Sequence, residues 1–359
     1  MSLFAAKGGI AKMAYDTVYK WFYKLPGSLA IATTISCAIF GAISGSSMAT
    51  SAVFGRVSYP IMRQYNYSKR LALGSIAASG TFACMIPPST LLVFYAIITE
   101  TSVGSLFMAG IIPGLLTALA YTISIIIRVK LNPNLAPIKD KEAYTFKQKI
   151  LSIKNIFPIG IIIVFVLGGI YSGILTVTEG AATGCLLTFF IGCIKSGWNK
   201  MNLRESLVDS AKTTVMVFFI IIGSFIFARF IGITRIPFYF SKWIISLSFS
   251  SEIIILLICV MFFLLGMIMS PVGIMAITLP VVMPVVRELG YNPIWFGIIV
   301  MKLMEIAAVT PPFGLNVFVL KGVLGREERI EEIFYGIWPF VIMDLIVLIP
   351  LIYFPSSIA

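Results

Sequence analysis

Residues Ser44-Gly45-Ser46-Ser47 interrupt an apolar run that extends from 28 to 62. A helix crosses the hydrocarbon core of a bilayer in about 20 apolar residues. The run is too long for one crossing, and small polar residues break it near its midpoint. Non-helical backbone at that depth is tolerated only where protein or water satisfies it. Two readings fit: a re-entrant helical hairpin with its tip deep in the membrane, or one tilted helix kinked at Gly and Ser. A second run, 252–287, is also too long for one crossing, and it is broken at Ser270-Pro271-Val272-Gly273.

The composition agrees that the surroundings are a membrane. The 359 residues are 59% hydrophobic and 12% charged, with a mean hydropathy of +1.00. A soluble domain carries about 25% charged residues, so a soluble enzyme is excluded. The net charge of +12 does not mark a nucleic-acid binder. Its Lys and Arg fall in short clusters between apolar runs, as they do in membrane loops. With no His and with Cys at 37, 84, 185, 193 and 259, there is no zinc spacing, no CxxC and no disulfide framework. Further spans are expected at 70–97, 105–129, 153–172, 176–195, 208–234, 294–320 and 333–354. The basic stretch holding Arg128, Lys130, Lys139, Lys141, Lys147, Lys149 and Lys154 predicts that 131–152 is cytoplasmic, and alternation places 321–332 there too. The first hairpin then opens to the cytoplasm and the second to the outside.

That inversion has a counterpart in the sequence. At an offset of 224 residues Ser46 meets Ser270, Pro60 meets Pro284, Tyr67 meets Tyr291, Pro87-Pro88 meets Pro311-Pro312, and Phe94 meets Phe318. Amphipathic stretches precede both hairpins, with Trp21 in one and Trp243 in the other, and are expected to lie as arms in the interface. Two homologous units of opposite orientation mark secondary transporters, whose sites lie near the midplane at interrupted helices. Pro87 and Pro311 each remove a backbone donor in mid-membrane, which frees carbonyls for a cation such as Na⁺. A channel needs a continuous pore lined by charge or carbonyl rings, which opposed half-depth hairpins do not build. A membrane enzyme lacks its tools here, since no nucleophile–base pair or metal cluster is present.

Five stretches in order carry a family resemblance: Phe40-Gly-Ala-Ile-Ser-Gly-Ser-Ser-Met-Ala-Thr50, Gly80-Thr-Phe-Ala-Cys-Met-Ile-Pro-Pro-Ser89, Leu106-Phe-Met-Ala-Gly-Ile-Ile-Pro-Gly114, Thr176-Val-Thr-Glu-Gly-Ala-Ala182 and Thr310-Pro-Pro-Phe-Gly-Leu-Asn316. On these the chain resembles the large membrane subunit of tripartite ATP-independent periplasmic (TRAP) transporters. The fourth stretch departs mildly, with Val177 where Pro is usual and Gly180 where Ala is usual. The resemblance implies an all-α integral membrane protein of the bacterial inner membrane. Its fold would be an inverted-repeat, elevator-type transporter of the ion transporter superfamily, with two re-entrant hairpins and two broken helices. It implies Na⁺-coupled import of an organic acid such as a C4-dicarboxylate or a sialic acid. The implied partners are a small membrane subunit and a periplasmic substrate-binding protein, with no nucleic acid and no cofactor beyond the coupling ion. A stand-alone Na⁺/dicarboxylate symporter and an inactive, truncated permease fragment are the alternatives.

The implied organisation is an amphipathic arm at 1–27, a first hairpin and broken helix at 28–99, and scaffold helices, loops and a second arm at 100–251. A second hairpin and broken helix follow at 252–322, then a scaffold helix at 323–359. By the repeat, counterparts of 153–172, 176–195 and 208–234 are expected before the first arm, where only a short segment stands. Carried over residue by residue, one Na⁺ is expected between Ser44, Gly45, Ser46, Ser47 and Thr81, Pro87, Pro88. A second is expected between Ser270, Gly273 and Thr310, Pro311, Pro312, Gly314. The carboxylate substrate is expected near Ser46, Ser89, Ser270 and Asn316. Lys302 and Glu305 are expected to pair locally or to help shape the second ion site. Arg56, Glu179, Arg229 and Asp344 are expected as further buried charges of structural role.

Overall fold

In the computed structural model, residues 1–137, 144–235, 239, 242, 249–325 and 328–353 are described, and among these the regular structure is helical. The second amphipathic stretch around Trp243, and Lys139 and Lys141 of the basic loop, lie outside the described residues.

The chain opens with a short helix α1 (Ser2–Lys7) and α2 (Ile10–Phe22), then makes a hairpin of α3 (Ser28–Ser44) and α4 (Ser47–Gln64). The turn takes two residues. Gly45, at φ 59°, ends α3 and donates its N–H to the Gly41 carbonyl. Ser46, in extended backbone, caps α4 by accepting the Ala49 N–H at 3.4 Å. A left-handed Gly stops a helix because it lacks a Cβ, and Ser starts the next by satisfying an orphan donor. Of the two readings open for 28–62, the hairpin is the observed one.

Next comes the first broken helix. α5 (Lys69–Ser79) tightens into a 3-10 turn over Gly80–Cys84, the chain breaks at Pro87-Pro88, and α6 (Thr90–Thr99) resumes. Ser89 caps α6 through the Leu92 N–H. Long spans follow: α7 (Val103–Leu131), α8 (Phe146–Tyr171), α9 (Val177–Ser196), a single turn α10 (Trp198–Met201) and α11 (Leu203–Thr234). α8 begins before 153 because a Thr145–Gln148 capping box starts it at Phe146. α11 likewise begins before 208, capped by Asn202. Glu179 forms the equivalent box with Thr176 and is exposed. Arg56 and Arg229 are exposed as well, so of the four further charges expected to be buried, Asp344 alone is.

The second unit repeats the first. α12 (Ser251–Gly266) and α13 (Pro271–Glu288) form a hairpin capped at Ser270, which accepts the Gly273 N–H. α14 (Pro293–Ala307) and α15 (Leu315–Leu324) flank the second Pro-Pro break, and α16 (Ile330–Tyr353) closes the chain. The helix contacts follow the repeat. α3 lies against α5 as α12 lies against α14. α4 packs on α15 as α13 packs on α6, and α16 packs on α5 as α7 packs on α14. Each hairpin therefore sets its first helix on its own unit's broken helix and its second helix on the far half of the other unit's. Six of the described helices are long and apolar enough to cross a membrane.

Close approach of α5 and α16 depends on two glycines. A Cβ on Gly74 would stand 2.1 Å from the Gly336 carbonyl oxygen, and one on Gly336 would stand 2.1 Å from that of Arg70. Small residues at such crossings let helix backbones touch, which is how membrane helices gain packing without a hydrophobic driving force.

Candidate functional site

The first tip and the first break are in direct contact. The Gly45 carbonyl accepts both the Thr90 hydroxyl at 2.8 Å and the Thr90 N–H at 3.4 Å. A Cβ on Gly45 would meet the Pro88 carbonyl oxygen at 2.8 Å. Behind the tip, the Ser44 and Thr50 hydroxyls lie 2.8 Å apart, and Thr50 donates to the Ser46 carbonyl at 2.9 Å. Ser44, Gly45, Ser46 and Ser47 thus share one neighbourhood with Pro88. Thr50 belongs there too, although sequence reasoning passed it over. Its signal was available, since it lies one helical turn after Ser46.

Two further hydroxyls of the first break are turned inward. Ser89 is buried and donates to the Cys84 carbonyl at 2.6 Å, while Thr81 is buried and donates to the Ala78 carbonyl at 2.7 Å. The helix dipoles give the tip two electrical faces. α3 ends at Gly45 with carbonyls pointing onward, which suits a cation. α4 and α6 begin at Ser46 and Ser89, and the partial positive charge of a helix N-terminus suits an anion.

The second unit has the same parts in a looser arrangement. The Phe313 N–H donates to the Met267 carbonyl at 3.3 Å, joining the second tip to the second break. Gly266 packs on Ala307, where an added Cβ would stand 2.5 Å from that side chain. Thr310 is buried and donates to the Ile306 carbonyl at 2.6 Å. Gly314, at φ 50°, starts α15. Ser270 and Pro312 are exposed, whereas their counterparts Ser46 and Pro88 are partly covered. Asn316 is fully buried, and neither its side-chain oxygen nor its nitrogen has a partner. A buried amide left unpaired is costly.

A cavity of about 530 Å³ opens beside the first tip, and Ser44, Gly45, Pro88, Ser89 and Thr90 line one side of it. Thr178 of α9 and Thr213 and Thr214 of α11 stand among its other walls. Ser270 and Asn316 are not part of this lining, so of the expected substrate residues Ser89 is the one the cavity reaches.

The pair Lys302–Glu305 is real and larger than the sequence disclosed. Lys302 Nζ donates to Glu305 Oε2 at 2.9 Å, to Asp344 Oδ1 at 2.6 Å and to Thr117 Oγ1 at 2.8 Å. Tyr121 donates its hydroxyl to Asp344 Oδ2 at 2.6 Å. All five side chains are buried. This hub ties α14 to α7 and α16, and only the spacing of three between Lys302 and Glu305 was visible in one dimension.

Among known proteins, the family model described as "Tripartite ATP-independent periplasmic transporter, DctM component" matches residues 1–357. The C4-dicarboxylate TRAP transporter large permease protein DctM of Pseudomonas aeruginosa is 35% identical, the match covering 98% of this chain and 82% of that protein. The sialic acid TRAP transporter large permease protein SiaM of Vibrio cholerae is 27% identical, over 97% and 80%. The crystal structure of the Alcanivorax borkumensis YdaH transporter matches 99% of this chain and 84% of its own, with a TM-score of 0.64 at 13% identity, and so shares the fold. The chain belongs to the DctM family of tripartite ATP-independent periplasmic transporters: it is a multi-pass inner-membrane protein of the large permease type and not an enzyme.

Proposed function

We propose that this chain imports an organic acid on a Na⁺ gradient, with the substrate handed over by a periplasmic binding protein and a small membrane subunit alongside. The observation that carries the reading is the twice-built contact of hairpin tip and Pro-Pro break. One Na⁺ would bind at Ser44–Ser47 with Thr81, Pro87 and Pro88. The other would bind at Ser270 and Gly273 with Thr310, Pro311, Pro312 and Gly314. The donor set suits a hard cation, because it offers carbonyl and hydroxyl oxygens and no sulfur or imidazole. The carboxylate would be held by helix N-termini at Ser46, Ser89 and Ser270 and by the free amide of Asn316. Relatives named for C4-dicarboxylate, sialic acid and 2,3-diketo-L-gulonate support an organic acid as the substrate class.

In an elevator cycle the two hairpins and two broken helices would slide as one body. The family resemblance implies that α7 and α16 belong to the fixed frame. The buried hub argues that both travel with the broken helices instead, since parting Lys302 from Asp344 each cycle would leave an uncompensated buried charge, costing roughly 3–5 kcal/mol. The test is uptake in proteoliposomes holding the permease, its small subunit and its binding protein. An inward Na⁺ gradient should drive uptake, K⁺ should not, and Ser46→Ala and Ser270→Ala should each raise the Na⁺ required. Uptake indifferent to Na⁺ rejects the coupling, and full uptake without a binding protein favours the stand-alone symporter.

A further inference from the structure

The hub at Lys302 does not balance its charge. One ammonium faces two carboxylates, so with all three ionised the buried cluster would carry a net charge of −1. The hydrogen bonds divide unequally between the two acids. Asp344 has both oxygens served, one by Lys302 and one by the Tyr121 hydroxyl. Glu305 has Oε2 served by Lys302, while Oε1 is buried without a partner. Lys302 has no further proton to offer, because its three N–H groups are spent on Thr117, Glu305 and Asp344. An ionised Glu305 would leave Oε1 charged, buried and without a donor, which is far costlier than an unpaired neutral carboxyl.

We propose that the hub is a proton-binding site: Glu305 holds one proton on its carboxyl group, and Lys302 and Asp344 form the ionised pair. The proton comes from water and turns the carboxylate into a neutral acid, with no other bond made or broken. The groups around the Lys302–Glu305 pair fit this assignment. On its own helix stands Lys302, on α7 Tyr121 and Thr117, and on α16 Asp344, while the 3-10 turn presents the buried thiol of Cys84. Lys302 is the single cation among them. Phe82 and Phe340 pack their rings on Tyr121, and a further cation, the Arg128 guanidinium, stands over the Phe340 ring at 5.6 Å from its centroid and not against Glu305. A proton needs no coordination shell, whereas a metal ion would need several oxygens around Oε1. The proposal does not rest on the transport reading, and its test needs neither partner nor substrate.

Infrared difference spectroscopy on the purified full chain in lipid, between neutral and strongly alkaline pH, reads the carboxylic C=O stretch directly. At neutral pH a band is expected that shifts with ¹³C-glutamate and stays put with ¹³C-aspartate. Replacing K⁺ by Na⁺ should leave it unchanged. Glu305→Gln should abolish the band, and Lys302→Met should add an aspartate-derived band of similar size, because the charge left over then takes a second proton. No glutamate-derived band, a band that follows the aspartate label, a band that persists in Glu305→Gln, or its loss on adding Na⁺ would each overturn the proposal. The isotope experiment uses the unmutated protein, so it decides even where a variant fails to fold.

Discussion

Replacing Gly45 by Ala tests whether the first tip must touch the first break. Two costs separate cleanly. The first is conformational: at φ 59° an L residue with a Cβ pays about 1 kcal/mol relative to Gly. The second is contact: the new Cβ would stand 2.8 Å from the Pro88 carbonyl oxygen, and that backbone atom can retreat only if the tip and break part. Overpacking of this kind costs about 1–3 kcal/mol. Gly173 supplies the control, since its φ is 73° and a Cβ there meets nothing within 4 Å. Gly173→Ala should show the first cost without the second. If Na⁺ binds where Gly45 meets Pro88, the contact cost falls on Na⁺ affinity, a loss of roughly fivefold to a hundredfold. The assay is Na⁺-dependent thermal stabilisation of the purified chain, because a ligand bound to the native state raises its stability by mass action. The midpoint of the Na⁺ titration should move to higher concentration in Gly45→Ala and stay in place in Gly173→Ala. Equal titrations in both variants would refute the placement of Na⁺ at this contact.

Other outcomes follow from the packing. Gly336→Ala should lower the melting temperature sharply, since its Cβ would meet the Arg70 carbonyl oxygen at 2.1 Å; Gly322→Ala, where nothing lies within 4 Å, should be nearly neutral. Asp344→Asn should destabilise less than Lys302→Met, because Glu305 can then pair with Lys302 as the lone anion, whereas Lys302→Met strands two acids; denaturant melts should differ by about 1–3 kcal/mol. Tyr121→Phe removes one hydrogen bond to Asp344 and should cost about 1.5–3 kcal/mol in the same melts. Cysteines placed at Lys130 and Glu288 should react with impermeant reagents from opposite sides of the membrane, and labelling from one side alone would end the inverted-repeat topology.

The sequence by itself determined the elements and their repetition. A Gly-Ser pair in the middle of an apolar run marks an interruption that could be a hairpin or a kink, and Gly45 and Ser46 make it a hairpin by stopping one helix and starting the next through bonds within four residues. Pro-Pro breaks a helix wherever it stands, so the positions of both interruptions were legible, as was the offset that relates them. These are local effects, written in neighbouring residues. Tertiary structure decided which half-helices each hairpin packs on, and that the Gly45 carbonyl meets the Thr90 hydroxyl across the first site. It also decided that Arg56, Glu179 and Arg229 are exposed while Asp344 is buried. No periodicity distinguishes these four charges, because burial depends on what packs opposite. The hub makes the point most plainly: Lys302 meets Glu305 at a spacing that any helix brings together, but Thr117 and Asp344 reach it from 185 and 42 residues away. Coulomb attraction acts through space, and only the fold says which charges are close.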